Sequence, residues 1–224
     1  MSKAVFVVLD GGDNSGKATQ TALLVDRLRA EGKRVGTLDF PQYEVNAFGK
    51  LIKEALQGKH GDFLAVDPKI ASTLYAADRF EAKGVLQELL AQNDVVILDR
   101  YVSANMLHQG SKIENVLERQ EFLAWLEHVE YGIFGIPKPD LVIALAVSAE
   151  DSEAILSRMI EEGSKEPDQA ESDRAHQHRV SECLQWLCAM RDNWNTVHCS
   201  SGINGLRSRE EIHQEVYQLV AELF

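Results

Sequence analysis

Ten residues near the start of the chain, Gly11-Gly12-Asp13-Asn14-Ser15-Gly16-Lys17-Ala18-Thr19-Gln20, constrain it more than any other feature. They follow the apolar run Ala4–Leu9 and precede a helical pattern with Leu24, Val25 and Leu28 on one face. Strand, glycine loop and helix in that order form a phosphate cradle. Glycines let the backbone curl until several N–H groups point at one anion, the helix N-terminus adds its dipole, and Lys17 adds a full charge. The expected ligand is a nucleoside triphosphate. The common pattern closes with a serine or threonine whose hydroxyl meets Mg²⁺, and here that position is Ala18.

The remaining apolar runs are Val35–Phe40, Val95–Leu98, Leu141–Val147 and Thr196–Cys199. They are continuous rather than alternating, as in strands buried on both faces, and longer helical patterns separate them. This predicts a parallel, doubly wound α/β sheet whose ligands sit beyond the carboxyl ends of the strands. Three of those ends are polar: Asp10 with the glycine loop, Asp39-Phe40-Pro41, and Asp99-Arg100-Tyr101. Helices are expected over about Lys17–Ala30, Asn46–Gln57, from Pro68 continuously to about Gln92 behind an Asp67 cap, and over Glu114–Glu130. The polar, glycine- and proline-containing stretch at about 161–173 reads as a short lid within a single domain spanning 1–224.

A chain of 224 residues that is 45% hydrophobic suffices for one well-cored domain. A net charge of −12 makes a nucleic acid a poor partner, whereas a small nucleotide held by local cations remains compatible. No apolar run is long enough to span a membrane, and Met1-Ser2-Lys3 runs straight into the first strand, so no secretory leader is expected. Cys183, Cys188 and Cys199 lack metal-ligand spacing. With the other features they suggest a reducing, cytoplasmic setting.

Several residues offer chemistry. Asp99 at a strand end can reach Mg²⁺ or its waters, and Arg100 can clamp a phosphate; a helix cap beside a solvated arginine fits the same residues. Tyr75 and Arg79 lie four apart, so one helix face could stack on a base and bond its edge; on these residues alone an ordinary amphipathic helix with a snorkelling arginine is the preferred reading. Gln109 can donate and accept at a base edge. Phe40-Pro41 could wall a pocket. Arg158, Lys165, Arg174 and Arg179, in and around the lid, could neutralise a phosphoryl group in transfer.

Taken in order, these pieces resemble the thymidylate kinase family along nearly the whole chain. The resemblance rests on Asp10 through Thr19, Phe40-Pro41, Tyr75 with Arg79, Asp99-Arg100-Tyr101, Gln109 and Pro139-Asp140-Leu141. It implies a three-layer P-loop kinase fold, a five-stranded parallel sheet flanked by helices with a short lid, and transfer of the ATP γ-phosphoryl to dTMP, giving dTDP and ADP with Mg²⁺. Gly11, Gly12, Asn14, Ser15, Gly16, Lys17, Ala18 and Thr19 would then hold the donor phosphates. Asp99 would organise the metal. Asp13 would orient the acceptor's sugar or phosphate end, and Arg100 would grip its phosphate. Phe40, Pro41, Tyr75, Arg79 and Gln109 would hold and read the base, while Arg158 or Arg174 would act in catalysis. A homodimer built through helices is also implied. Ala18, Asn14, Gln42-Tyr43, His108 and Asp168-Gln169 depart from the common family pattern. A P-loop kinase for another nucleotide or nucleoside, and a nucleotide-binding regulator without turnover, are the competing readings.

Overall fold

The computed structural model describes residues 3–163, 173–201 and 205–224. Most of the expected lid, including Lys165, Asp168 and Gln169, lies outside them. Five strands, β1 (Val5–Gly11), β2 (Val35–Asp39), β3 (Val95–Asp99), β4 (Leu141–Ala146) and β5 (Trp194–His198), form one sheet of order β2-β3-β1-β4-β5. All pairings are parallel. The helices are α1 (Lys17–Ala30), α2 (Ala47–Leu56), α3 (Pro68–Glu81), α4 (Lys83–Gln92), α5 (Val102–His108), α6 (Val116–Glu127), α7 (Ala149–Glu161), α8 (Arg174–Met190) and α9 (Arg209–Ala221).

The period-two alternation of strand side chains divides the core into two layers. Phe6, Val8, Val96, Leu98, Val142 and Ala144 face one way, against Met106 of α5, Phe122 and Leu126 of α6, and Val180, Leu184 and Leu187 of α8. Val7, Leu9, Val95, Ile97, Ile143 and Leu145 face the other, against Leu24 and Leu28 of α1 and Ile212, Val216 and Val220 of α9. Both faces of the sheet are covered, which is why the strands read as unbroken apolar runs. Register aligns the strand ends: Leu9 pairs with Asp99, and Asp99 with Asp39. The three polar strand ends therefore lie side by side at one edge, as the sequence implies.

Two helices differ from expectation. The helix begun by Asp67, whose carboxylate accepts from the Lys69 and Ile70 N–H groups, does not run to Gln92. It breaks at Ala82 (φ −87°, ψ 0°) into α3 and α4. Nothing in Glu81-Ala82-Lys83 disfavours helix. Packing decides instead, because α3 lies on α2 and α4 turns onto β2 and β3, burying Leu86. The expected helix over Glu114–Glu130 ends at Glu127 and continues as a wide π-type turn, His128–Ile133. That extra residue per turn swings Glu130 into the interior, where it is fully buried.

Candidate active site

The glycine loop begins where β1 ends. Gly11 has φ 142°, and a Cβ there would lie 2.3 Å from the Leu145 carbonyl oxygen of β4, so only glycine fits. Gly16 (φ 84°) and Asn14 (φ 57°) complete the curl that turns successive N–H groups inward. Lys17 opens α1 with its side chain buried. Its ammonium folds back on the loop, donating to the Gly12 carbonyl at 2.7 Å and to the Gly11 carbonyl and Ser15 hydroxyl, each at 3.3 Å. Burial and the nearby Arg100 charge lower its pKa to about 8, against Asp13, Asp10 and Asp99. Ala18 and Thr19 are exposed on the first turn.

Asp10, behind the loop, is fully buried and accepts from the Gly11 N–H at 2.9 Å and from the Ser103 hydroxyl. Burial raises its pKa, and that of Asp99 beside it. Among the described residues no cluster of three or more histidine, cysteine or carboxylate groups could hold a metal. Asp99 and Asp10 offer hard carboxylate oxygens of the kind that suits Mg²⁺, an ion that takes few protein ligands and keeps several waters.

Arg100 leaves β3 with φ 65°, a left-handed conformation costing a non-glycine residue on the order of 1–2 kcal/mol. That turn aims its side chain at the glycine loop. One Nη donates to Asp13 Oδ1 at 2.6 Å and the other meets His108 Nε2 at 3.1 Å. The second Asp13 oxygen accepts from Gln177 of α8 at 3.1 Å, and its carbonyl accepts from Ser152 of α7 at 3.0 Å. Burial alone would raise the Asp13 carboxyl, but Arg100 holds it well below the usual carboxylate range.

Beside this junction opens a cleft with about 700 Å³ of empty space. Phe40, Pro41, Phe63, Tyr75 and Tyr101 line it, and Asp13 and Arg100 close its inner end. The Phe40 ring lies 5.8 Å from that of Tyr101, and the Tyr75 ring 6.1 Å from that of Phe63. Arg79 lines the same cleft, as the shared helix face with Tyr75 predicts, but it is only 2% exposed. Its Nε donates to Glu130 at 2.8 Å, Nη2 donates to the other Glu130 oxygen, and Nη1 reaches the Tyr101 carbonyl at 3.3 Å. A guanidinium has five N–H bonds, so this clamp leaves two for a ligand. Asn105 Nδ2 and Gln109 Oε1, also on the cleft, are buried without a hydrogen-bond partner. Buried donors and acceptors left unpaired beside a cleft call for a partner.

A second cleft, about 750 Å³, lies between Asn14 of the loop, Ser152 and Glu153 of α7, and Arg174 and Gln177 of α8. Arg174 opens α8 here, paired with Glu153. Arg158 is exposed on the last turn of α7 and lines neither cleft. Arg179 is half-buried on α8, close enough to influence Lys112 and His176.

Sequence reasoning missed Asp10's burial, Asn105, Glu130, His176 and Gln177. Asn105 left a signal, since it stands four residues before Gln109 and shares its helix face. Glu130 left none, because only the π-type turn brings it to Arg79.

A glycine loop after the first strand of a 2-3-1-4-5 parallel sheet, with an aromatic-walled cleft opening at the loop's aspartate, is the arrangement of the P-loop phosphotransferases. A model of the thymidylate kinase family matches residues 9–215. The chain belongs to the thymidylate kinase family. It is 40% identical over 147 residues to the thymidylate kinase of Mycobacterium tuberculosis, covering 65% of this chain and 67% of that one. It is 30% identical over 217 residues to the human thymidylate kinase, covering 96% and 88%. The solved thymidylate kinase of Candida albicans superposes with a TM-score of 0.74 over 100% of this chain and 94% of that one, at 22% identity, a likeness of fold.

Proposed function

We propose that the protein transfers the γ-phosphoryl group of ATP to dTMP, giving dTDP and ADP, and that the first cleft takes dTMP. The observation that carries this reading is the polar edge of that cleft. Thymine presents two carbonyl oxygens flanking an N–H. Arg79 and Asn105 have N–H groups to give, and Gln109 has an acceptor to give. Cytosine would bring an amine to the position of a thymine carbonyl, and a donor facing donors in a buried site is strongly rejected. Tyr75, Phe40 and Pro41 wall the base, and Arg100 meets the phosphate where the cleft reaches the glycine loop.

The acceptor phosphate is the nucleophile. It is already anionic at neutral pH, so no strong general base is needed, and positioning and charge neutralisation carry the catalysis. Lys17 and the amides from Gly12 to Ala18 hold the donor phosphates; Lys17 exchanges loop carbonyls for phosphate oxygens, which restores its full charge. Asp13 holds Arg100 and the acceptor's sugar end. Among the described residues, Arg174, in the second cleft, is better situated as a lid-side cation than Arg158. Asp99, with Asp10 behind it, would hold Mg²⁺ through its waters, and the ion would supply neutralisation of phosphate charge. No helix among the described residues is long and apolar enough to cross a membrane, and a cytoplasmic location fits this substrate pair. Exposed Phe48 on α2, Ile70 and Phe80 on α3, and Val116 and Leu117 on α6 support a homodimer through these neighbouring helices.

The test is chromatographic identification of products from ATP, dTMP and Mg²⁺. Equimolar dTDP and ADP are expected, abolished by excess chelator. ADP without dTDP would contradict the reading.

A further inference from the structure

Arg100 is held from two sides by chemically different groups. Asp13 supplies a charge at 2.6 Å, and His108, at the end of α5, supplies a ring nitrogen at 3.1 Å. A guanidinium has only donors, so His108 Nε2 must accept, which requires its proton on Nδ1. The groups facing the ring are Asp13, Arg100, Lys17 and His176, whose own ring lies 5.9 Å away at a tilt of 30°. Burial, with the Arg100, His176 and Lys17 charges, outweighs Asp13 and lowers the His108 pKa to about 3, so the lone pair on Nε2 is kept at any working pH.

We propose that His108 is a positioning residue for Arg100, a neutral acceptor that fixes the plane of the guanidinium while leaving its charge for the acceptor phosphate. This rests on reading the cleft as the dTMP site. Asp13 cannot do this alone. A carboxylate at 2.6 Å fixes one Nη while offsetting part of the Arg100 charge, whereas a neutral acceptor fixes the other without offsetting any, and three N–H bonds stay free for a phosphate. A second carboxylate at position 108 would weaken phosphate binding further, and a hydrocarbon ring could not accept at all. Imidazole supplies direction without charge. The left-handed backbone of Arg100 makes such a brace useful, because the side chain leaves β3 across the cleft with 25% of its surface exposed.

The test compares wild type, His108→Phe and His108→Gln in titrations with dTMP and with thymidine, which lacks the phosphate. Phe keeps a ring against His176 and removes the acceptor; Gln returns an acceptor near the Nε2 position. His108→Phe should weaken dTMP about tenfold, the scale of one hydrogen bond to a charged group, and weaken thymidine by clearly less. His108→Gln should recover most of the loss. Equal dTMP binding by wild type and the Phe variant, equal loss of both ligands, or a Gln variant as impaired as Phe would overturn the proposal. Wild type that binds neither ligand would overturn the dTMP-site reading, and this inference with it. Nitrogen-15 NMR of the wild type needs no variant: a neutral His108 with its proton on Nδ1 at pH 6 is expected, and a proton on Nε2 would contradict the brace.

Discussion

On the proposed function, the donor and acceptor halves of the site are built in opposite ways. The donor half is one continuous segment, Gly11 to Lys17, whose geometry comes from its own glycines and whose cation rests on its own carbonyls. The acceptor half is assembled from separated stretches, among them Asp13, Phe40-Pro41, Phe63, Tyr75 to Arg79 and Arg100 to Gln109, with Glu130 behind Arg79. Phosphates are alike in every nucleotide, so a local cradle suffices for them. A base must be told from other bases, which needs donors and acceptors fixed in buried places, and only long-range pairs such as Arg79–Glu130 provide that fixity.

This difference gives each half its own mode of failure. The largest expected effect is Glu130→Ala. With Glu130 fully buried and Arg79 nearly so, removing one partner strands a charge and should cost about 3–5 kcal/mol of stability. Urea unfolding measures it, and a loss below about 1 kcal/mol would mean that the pair does not hold the acceptor wall. Lys17→Ala comes next. It should lower kcat by on the order of 10²–10³, the scale for losing a donor to transition-state charge, while thermal stability and dTMP affinity hardly move. A folded Lys17→Ala protein with most of its turnover would break the donor half of the comparison.

A third effect follows from the lowered Lys17 pKa. Free enzyme loses the ammonium charge as pH rises through about 8, and phosphate binding favours the charged form. Thus kcat/KM for ATP should fall above pH 8, toward tenfold per unit, because that ratio reports groups of the free enzyme. A profile flat to pH 10 would show that Lys17 is not the phosphate's cation. The smallest effect is Ala18→Ser, which adds an oxygen after Lys17 and should lower the Mg²⁺ concentration giving half-maximal rate by a few-fold, on the order of one modest hydrogen-bond-sized gain. A Mg²⁺ titration beside wild type checks it, and a raised midpoint would place the metal elsewhere.

The same division explains what the sequence makes legible. Glycine-loop chemistry is local, so Gly11, Gly16 and Lys17 can be read directly. The strand-end motif Asp99-Arg100-Tyr101 and the Tyr75–Arg79 face can be read because strand order and helical period place them. That Arg79 shares a face with Tyr75 is legible, but its clamp is not, since Glu130 lies in a turn that departs from the 3.6-residue period. The break at Ala82 is invisible for a similar reason: helix-forming residues yield there to packing on the sheet. Gln177 reaches Asp13 from 164 residues away, and no short-range pattern encodes such a contact.

The most direct measurement is a coupled ADP-release assay of wild type with ATP, Mg²⁺ and, in turn, dTMP, dCMP, dAMP and dGMP. A pocket that pairs Arg79, Asn105 and Gln109 with a thymine edge should give kcat/KM for dTMP at least about a hundredfold above each of the others. Comparable values for dTMP and dCMP would contradict it.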